Sequence, residues 1–445
     1  MNTPICDFVR RYAVSGALRL HMPGHKGVNI LGAEHFDITE IEGADSLYEA
    51  SGIIHESEAN AGMLFGAKTF YSAEGSSLCI RAMLYLTVQY LRANGKKPLI
   101  AAGRNAHKTF LSAAALLDFD VAWIYPKSTD SYLSCTVDAD TLEEYFEALE
   151  YKPTAVYLTS PDYLGNTADL SAVSKVCRKH GALLLVDNAH GAYLKFLSES
   201  RHPIDLGADI CCDSAHKTLP ALTGAAYLHI SPMAHDIFAE QAKSALAMFA
   251  STSPSYLIMQ SLDILNKYLD DGYAGKLDCF IKKVNECKHI LTSHGYTFLG
   301  DEPLKLTVFA KPYGYSGREL AALLHEKNIV CEFADPDFTV LMLTPEVGKE
   351  GLERLADAML SIPKRDAIGE SAPPMCKHER VMSIREAAFS ACEAVDAQKS
   401  FGRVLAAASV SCPPAVPIVV CGERIDENAV NSFKYYGIQN VTVVK

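Results

Sequence analysis

Buried-strand patterns alternate with helical patterns along the first half of the chain. The run Ala182–Val186 is almost wholly apolar, which is typical of a parallel strand covered on both faces. Shorter apolar runs predict further strands, and apolar residues at helical spacing predict helices between them. The predicted strands cover 97–102, 121–125, 154–160, 182–186 and 209–213, and the predicted helices cover 59–70, 78–92, a segment from 109 and 169–181. This order predicts a parallel, three-layer α/β domain that ends near residue 230.

The pattern changes after residue 235. Helical periodicity dominates 236–248 and 256–292, and strand-like runs then alternate with short helices, which is typical of an α+β region. The last segment combines a helix at 383–392 with an apolar run at 415–421. We therefore predict a helical arm over 1–20, a large domain over 21–235, a helical connector over 236–292, a small α+β domain over 293–363 and a C-terminal domain over 380–445.

Composition narrows the functional classes. The 445 residues carry a formal net charge of -12 and no basic patch, which argues against a nucleic-acid partner. The N-terminus lacks the features of a signal peptide, and no apolar run is long enough to span a membrane, so we expect a cytoplasmic protein. The 13 cysteines are scattered without a CxxC motif, so we expect reduced thiols and no metal site.

Two short motifs suggest a specific chemistry. Lys217 lies in a segment rich in hydroxyls and beside His216, and Asp187 is the first polar residue after a buried strand. Pyridoxal 5'-phosphate (PLP) requires a lysine that forms a Schiff base with its aldehyde and a carboxylate that keeps its pyridine nitrogen protonated. The sequence predicts Lys217 for the first role and Asp187 for the second.

Other motifs allow a functional or a purely structural interpretation. Ser76 and Ser77 open a helix and could cradle a phosphate through free backbone N–H groups, or simply cap that helix. His107 follows a strand, where open α/β sheets build their sites, but it could also be a capping residue. The loop His21–Gly27 could bind an anion. The acids at 36–58 are mostly a solvated face, although one or two could contact a cationic substrate.

Taken together, these motifs resemble those of the PLP-dependent Orn/Lys/Arg decarboxylases of the bacterial type. Those enzymes share the aspartate aminotransferase-like architecture called fold type I. The resemblance covers nearly the whole chain and implies an α/β, three-layer, PLP-dependent transferase-like large domain with a smaller α+β C-terminal region. The matching segments are 21–27, 39–58, 65–67, 75–77, 104–108, 186–191, 214–219, 252–256, 382–387 and 412–417.

The resemblance also implies residue roles. His107 would stack on the cofactor ring, and His190 would lie beside the ring hydroxyl or the substrate. The phosphate would be bound by Ser76, Ser77, Ser214 and His216. Ser253 would reach the phosphate of a neighbouring subunit, which implies a homodimer or larger oligomer with shared active sites.

The chain departs from the family pattern in several places. We expect a compact form without the N-terminal wing domain of the large family members. Asn188 stands where an acidic residue is common, Ser46 where Asp is expected and Ala415 where Gly is expected. The first two bear on substrate preference more than on the cofactor.

The expected reaction is decarboxylation of a basic amino acid, with arginine ranked before lysine and ornithine. The proton that completes the reaction would come from His216, Lys217 or a C-terminal residue such as Cys412. One alternative is another fold type I reaction, a lyase or an aminotransferase, for which Arg318 or Arg354 would grip the substrate carboxylate. A second alternative is a regulatory PLP-binding protein without turnover.

Overall fold

The computed structural model describes residues 1–127, 131–407 and 416–445. The α-helices are α1 Pro4–Ala13, α2 Ile53–Phe65, α3 Gly75–Ala93, α4 Lys108–Leu117, α5 Ala139–Ala148, α6 Leu170–Lys179, α7 Ala215–Thr218, α8 Asp236–Ala247, α9 Tyr256–Asp270, α10 Tyr273–Ser293, α11 Gly317–Glu326, α12 Gly348–Leu360, α13 Ile384–Phe389 and α14 Glu427–Tyr436. The strands are β1 Lys68–Ser72, β2 Leu99–Gly103, β3 Asp120–Ile124, β4 Ala155–Thr159, β5 Leu183–Asp187, β6 Ile210–Asp213, β7 Ala226–Ile230, β8 Thr297–Leu299, β9 Lys305–Phe309, β10 Phe333–Ala334, β11 Phe338–Met342, β12 Cys392–Asp396 and β13 Asn440–Val444.

The chain forms two compact units. Unit 1 comprises 1–96 and 183–276, and unit 2 comprises 97–182 and 277–445. The five-part domain division expected from the sequence stays a prediction.

Unit 1 is built on four strands in the order β1-β7-β6-β5. Strands β5 and β6 are parallel, with Asp187 opposite Cys212, whereas β7 runs antiparallel to both β6 and β1. The expectation of a wholly parallel sheet was therefore wrong, because it missed β1 and β7. The ends of β5 and β6 lie at one edge of the sheet, since parallel strands end on the same side.

The start of unit 1 also corrects two predictions. The helix expected to reach Phe70 ends at Phe65, because Gly66 takes a left-handed conformation (φ 67°) and the chain then enters β1. Gly tolerates this conformation at little steric cost. The N-terminal arm is helical only over α1, which buries Ile5 and Val9, whereas Leu18 is exposed.

The described residues of unit 2 include three sets of paired strands. Strands β4, β2 and β3 are parallel, in that order. Strands β10-β11-β9-β8 form an antiparallel sheet, and β12 pairs with β13. Helix α11 begins with a capping box in which Ser316 and Glu319 satisfy each other's backbone N–H groups.

The C-terminal apolar run has irregular backbone over its described residues. Its described part, 416–421, has no strand pairing, although Val419 and Val420 are buried. The guanidinium of Arg104 holds this segment, because it donates to the carbonyl oxygens of Pro417 (2.7 Å) and Ile418 (2.8 Å).

Candidate active site

Lys217 is presented by a very short helix directly after a buried strand. Strand β6 ends at Asp213, Ser214 precedes α7, and Lys217 lies within α7. The Nζ atom of Lys217 lies 3.1 Å from Nε2 of His190. A hydrogen bond of this length allows an amine and an imidazole to exchange a proton. The structure thus joins two of the residues that the sequence singled out.

The N-terminus of α3 lies beside the same strand end. Ser214 Oγ donates to Ser76 Oγ at 2.7 Å, and both side chains are buried. The residue before α3, Glu74, makes no side-chain cap, so no side chain of that residue satisfies the first N–H groups of this 19-residue helix. A long helix end of this kind, with two hydroxyls, favours an anionic group. Ser77, the next residue, is half-buried.

Asp187 is the last residue of β5 and is buried, with 2% of its surface exposed. Its Oδ1 accepts the backbone N–H of Ala189 at 3.2 Å and lies 3.8 Å from Sγ of Cys212. The backbone N–H of Asn188 donates to the carbonyl of Cys212 at 3.0 Å. These contacts fix the turn that follows β5.

His216 is held in one tautomer. Its Nδ1–H donates to the carbonyl oxygen of Ala225 at 2.9 Å, which leaves Nε2 as the basic nitrogen. Burial, assisted by the charge of Lys217, lowers the pKa of His216 below its ordinary value, although the bond to Ala225 acts in the opposite direction. His216 is therefore a neutral base near pH 7.

Three further residues predicted for the site come from other segments of the chain. Ser253 is exposed in the segment before α9, and its backbone N–H donates to Ser251 Oγ. His107 belongs to unit 2 and caps α4, since its Nδ1 accepts the backbone N–H of Thr109 at 3.1 Å. His107 thus caps α4 in the structure, and its stacking on the cofactor ring stays a prediction. Cys412 lies outside the described residues.

The structure explains most of the acids between 36 and 58. Asp45 accepts five backbone N–H groups and so organises the start of α2, from Ser46, Ser51, Gly52, Ile54 and His55. Glu58 is buried and binds Lys243 and the backbone N–H of Tyr71. Asp37 pairs with His25, Glu40 accepts from Ser46, and Glu56 accepts from Asn2. Among the described residues, only the carboxylates of Glu42 and Glu49 in this set lack such a bond.

Sequence reasoning missed the partners of Asp213. This carboxylate is fully buried, and its Oδ2 accepts from Nε2 of His202 (3.0 Å) and Nε2 of His229 (3.2 Å). Its Oδ1 accepts from the amide of Asn188 at 2.6 Å. The only signal in the sequence was a carboxylate at the end of a buried strand, one position before the lysine segment.

His202, Cys211 and Asp213 also place three potential metal ligands within 4.8 Å of one another. Two observations favour hydrogen bonding over a metal. The Asp213 oxygen already accepts two imidazole N–H groups. Burial, with nearby carboxylates, raises the pKa of the Cys211 thiol, and metals bind thiolates.

The two arginines considered for an aminotransferase are engaged elsewhere. Arg318 donates to the carbonyl oxygen of Tyr436 at 2.8 Å. Arg354 donates to the carbonyls of Lys327 and Asn328. Both side chains bind backbone carbonyls, so these contacts give no support to the aminotransferase alternative.

The donor set fits PLP. A primary amine next to an imidazole suits the aldehyde, a buried carboxylate at a strand end suits a ring nitrogen, and an uncapped helix end with two hydroxyls suits a phosphate. All these groups belong to unit 1. A mixed α/β sheet with such a site defines a PLP-dependent enzyme of fold type I.

Comparisons with known proteins specify the family. The family model described as Orn/Lys/Arg decarboxylase, major domain, matches residues 3–297, so the chain belongs to the Orn/Lys/Arg decarboxylase family. The resemblance and the cofactor predicted from the sequence are thereby confirmed, and the chain is a PLP-dependent decarboxylase.

Individual relatives agree with this assignment. An uncharacterized Bacillus subtilis protein, YaaO, is 29% identical over 97% of this chain and 93% of its own. The arginine decarboxylase of Bacillus subtilis is 27% identical over 97% of this chain and 92% of its own. The crystal structure of the Francisella novicida lysine decarboxylase has a TM-score of 0.79 at 15% identity and covers 100% of this chain and 81% of its own, which confirms the fold class.

In the described part of the chain, no helix combines the length and apolar character required to cross a membrane.

Proposed function

We propose that the chain decarboxylates a basic amino acid, with arginine as its first substrate, ahead of lysine and ornithine. The observation that carries the proposal is the contact between Lys217 Nζ and His190 Nε2 at the strand end that also carries Ser214. The activity in the name of the Bacillus subtilis relative supports the choice of arginine. When bound, PLP supplies an electron sink for the bond that breaks at the substrate's α-carbon.

Each residue of the site then has a proposed task. Lys217 holds the cofactor covalently, and His190 exchanges a proton with its Nζ. Asp187 keeps the ring nitrogen protonated, and Ser76, Ser77, Ser214 and His216 bind the phosphate. His216, whose Nε2 is basic, Lys217 and Cys412 are the candidates for moving the final proton.

We propose that two acids, Glu42 and Glu49, bind the cationic end of the substrate side chain. Glu42 and Glu49 are exposed and lack the bonds that occupy the other acids of this segment among the described residues. A guanidinium requires a carboxylate that can accept two parallel N–H bonds. We expect Glu42→Gln or Glu49→Gln to raise KM for arginine with little change in kcat, whereas Glu56→Gln should change neither.

A homodimer in the cytoplasm is proposed as the working form. The segment 14–31 exposes seven large apolar side chains, from 63% exposure at Val28 to 92% at Leu31. A cluster of this kind is typical of a surface that another chain covers. The exposure of Ser253 is consistent with its predicted reach into a neighbouring subunit. Sedimentation of the PLP-loaded protein would test the assembly.

The test of the proposed function is CO2 release from arginine, lysine and ornithine offered separately, with the amine product identified. We expect arginine to give agmatine and CO2, and Lys217→Ala to abolish both turnover and the visible absorbance of bound cofactor. Lys267→Ala, an exposed lysine on α9, serves as the control. Bound cofactor without CO2 from any of the three would instead support the regulatory alternative.

A further inference from the structure

Asn188 and Asp213 connect the two strand ends that carry the cofactor site. Asn188 directly follows Asp187 at the end of β5, and Asp213 directly precedes Ser214 at the end of β6. The side-chain amide of Asn188 donates to Asp213 Oδ1 at 2.6 Å, and both residues are fully buried. This bond is a side-chain link between the turn after Asp187 and the segment of Lys217.

The bond has a fixed direction because Asp213 is ionised. Burial opposes ionisation, but His202 and His229 outweigh it and hold the pKa of Asp213 well below its ordinary value. The other ring nitrogens are also engaged: Nδ1 of His229 contacts the Thr69 hydroxyl at 2.9 Å, and Nδ1 of His202 accepts the backbone N–H of Ile204 at 3.4 Å. Asp213 is therefore a buried carboxylate that accepts hydrogen bonds from both imidazoles and from the Asn188 amide.

An ionised carboxylate can only accept hydrogen bonds, so residue 188 has to donate. The orientation of the Asn188 amide is therefore determined by Asp213. Its Oδ1 is buried and has no hydrogen-bond partner among the described residues. An unsatisfied buried acceptor is unfavourable by about 1–3 kcal/mol. The Asn188 side chain keeps its N–H donor on Asp213 although its own oxygen remains unsatisfied. This indicates that the hydrogen bond between Asn188 and Asp213 is required.

We propose that Asn188 and Asp213 form a positioning pair that fixes the position of the Asp187 carboxylate relative to Lys217. The inference rests on the roles proposed above for Asp187 and Lys217. Neither member of the pair is a catalytic residue, since both act through their chain neighbours. The pair requires one donor and one charged acceptor, and the structure places the charge on β6.

The pair can be tested by exchanging its two groups. Asn188→Asp sets two carboxylates at hydrogen-bonding distance, where like charges repel. We expect this variant to weaken PLP binding by the full-length protein about tenfold or more, equivalent to about 1.4 kcal/mol. Adding Asp213→Asn restores a donor and an acceptor, because the amide introduced on β6 can donate to the carboxylate introduced on β5 while its oxygen accepts from the histidines.

The expected result is that Asp213→Asn has opposite effects on PLP affinity in the natural protein and in Asn188→Asp. Asp213→Asn should impair the natural protein, yet restore PLP affinity and kcat of Asn188→Asp to within about threefold of the natural protein. The wavelength and pH dependence of the bound cofactor's absorbance should recover in parallel. A surface exchange, Asn2→Asp with Glu56→Gln, is the matched control, since Asn2 donates to Glu56 in the same unit.

Two outcomes separate the failure of this inference from that of the proposed function. If the double variant, folded by circular dichroism, binds PLP no better than Asn188→Asp, the positioning pair is wrong. If Lys217→Ala retains the natural cofactor absorbance, the proposed site itself is wrong. PLP affinity is independent of the substrate, so an error in the choice of arginine does not affect either result.

Discussion

Two buried carboxylates at strand ends, one in each unit, are held in opposite ways. Asp213 of unit 1 receives three side-chain N–H groups distributed over both oxygens, and its pKa is lowered despite complete burial. Asp335 of unit 2 follows β10 and receives two backbone N–H groups, from Asp337 and Phe338, on one oxygen. Burial raises the pKa of Asp335 to about 6, and the charge of Asp337 adds to this effect.

The difference shows what a fixed buried charge requires. Burial alone favours the neutral acid, and that preference is reversed only where favourable charge interactions and hydrogen-bond donors outweigh it, as His202 and His229 do at Asp213. Asp213 meets this condition, and it adjoins the segment that carries Lys217. Asp335 does not, and a like charge lies nearby, so its protonation changes within the ordinary range of pH. We infer that the polar contacts of Asp213 fix a charge, whereas those of Asp335 shape a turn.

The largest effect should come from the other strand-end carboxylate of unit 1. Asp187→Asn should lower kcat by about a thousandfold or more, because a neutral pyridine is a poor electron sink and each tenfold corresponds to about 1.4 kcal/mol. Asp335→Asn in unit 2 should stay within about threefold of the natural protein. Turnover of both variants at saturating PLP checks the comparison, and equal activities would remove the distinction between the two units.

A buried cation in unit 2 extends the comparison to stability. Arg104 is fully buried, donates to two carbonyls and lies 3.6 Å from Glu423. Removing it leaves Glu423 and these carbonyls without their partner, so Arg104→Ala should destabilise the fold by about 3–5 kcal/mol.

Urea denaturation measures this effect. Arg380→Ala is the control, since that half-exposed residue pairs with Asp120 at 3.2 Å and should contribute less than about 1 kcal/mol. Similar losses for the two variants would show that the C-terminal segment does not depend on Arg104.

The smallest effect is a difference in pH dependence. The pKa of Asp335 lies above its ordinary value of 3.8, so between about pH 4 and 6 the folded chain retains a proton that the unfolded chain has lost. Stability therefore falls as pH rises through that window, by at most about 3 kcal/mol at 1.36 kcal/mol per pKa unit. Asp335→Asn should remove this loss, so the stability of the variant relative to the natural protein should rise from pH 4 to 7.

Asp213→Asn should behave in the opposite sense. The pKa of Asp213 is lowered, so its contribution is complete above about pH 4 and is lost only as pH falls further, through its folded pKa. The variant should be destabilised by about 1–3 kcal/mol, the value of hydrogen bonds to a charged group, and by the same amount at pH 5 and pH 7. Denaturation series at several pH values would measure how the stability of each variant, relative to the natural protein, changes with pH. The same pH dependence for Asp335→Asn and Asp213→Asn would contradict the proposed difference between the two carboxylates.

The sequence predicted the features that depend on near neighbours in the chain. The apolar run before Asp187 gives a buried strand, and Gly75-Ser-Ser77 does open a helix, because both signals are local. The partners of Asp213 could not be predicted in this way, since His202 and His229 approach it only through the fold. Strand β7 was missed for a similar reason: its antiparallel pairing with β6 is a tertiary feature.

The C-terminal apolar run shows the same limit on prediction. Its composition did not reveal that Arg104, more than three hundred residues earlier, binds the carbonyls of Pro417 and Ile418. The acids at 36–58 show the same limit, because their partners come from elements that the sequence pattern does not connect. Asp45 and Glu58 are organising residues of unit 1, although composition alone suggested a solvated face.

The bond between Asn188 and Asp213 also constrains how this protein can diverge. Asp at 188 alone meets a carboxylate that is already charged. An amide at 213 alone removes the charged acceptor that the pair requires, so either single replacement passes through an impaired intermediate. Positions 188 and 213 should therefore covary among relatives, with one carboxylate and one amide exchanged between the two strand ends, and independent variation at the two positions would argue against the pairing.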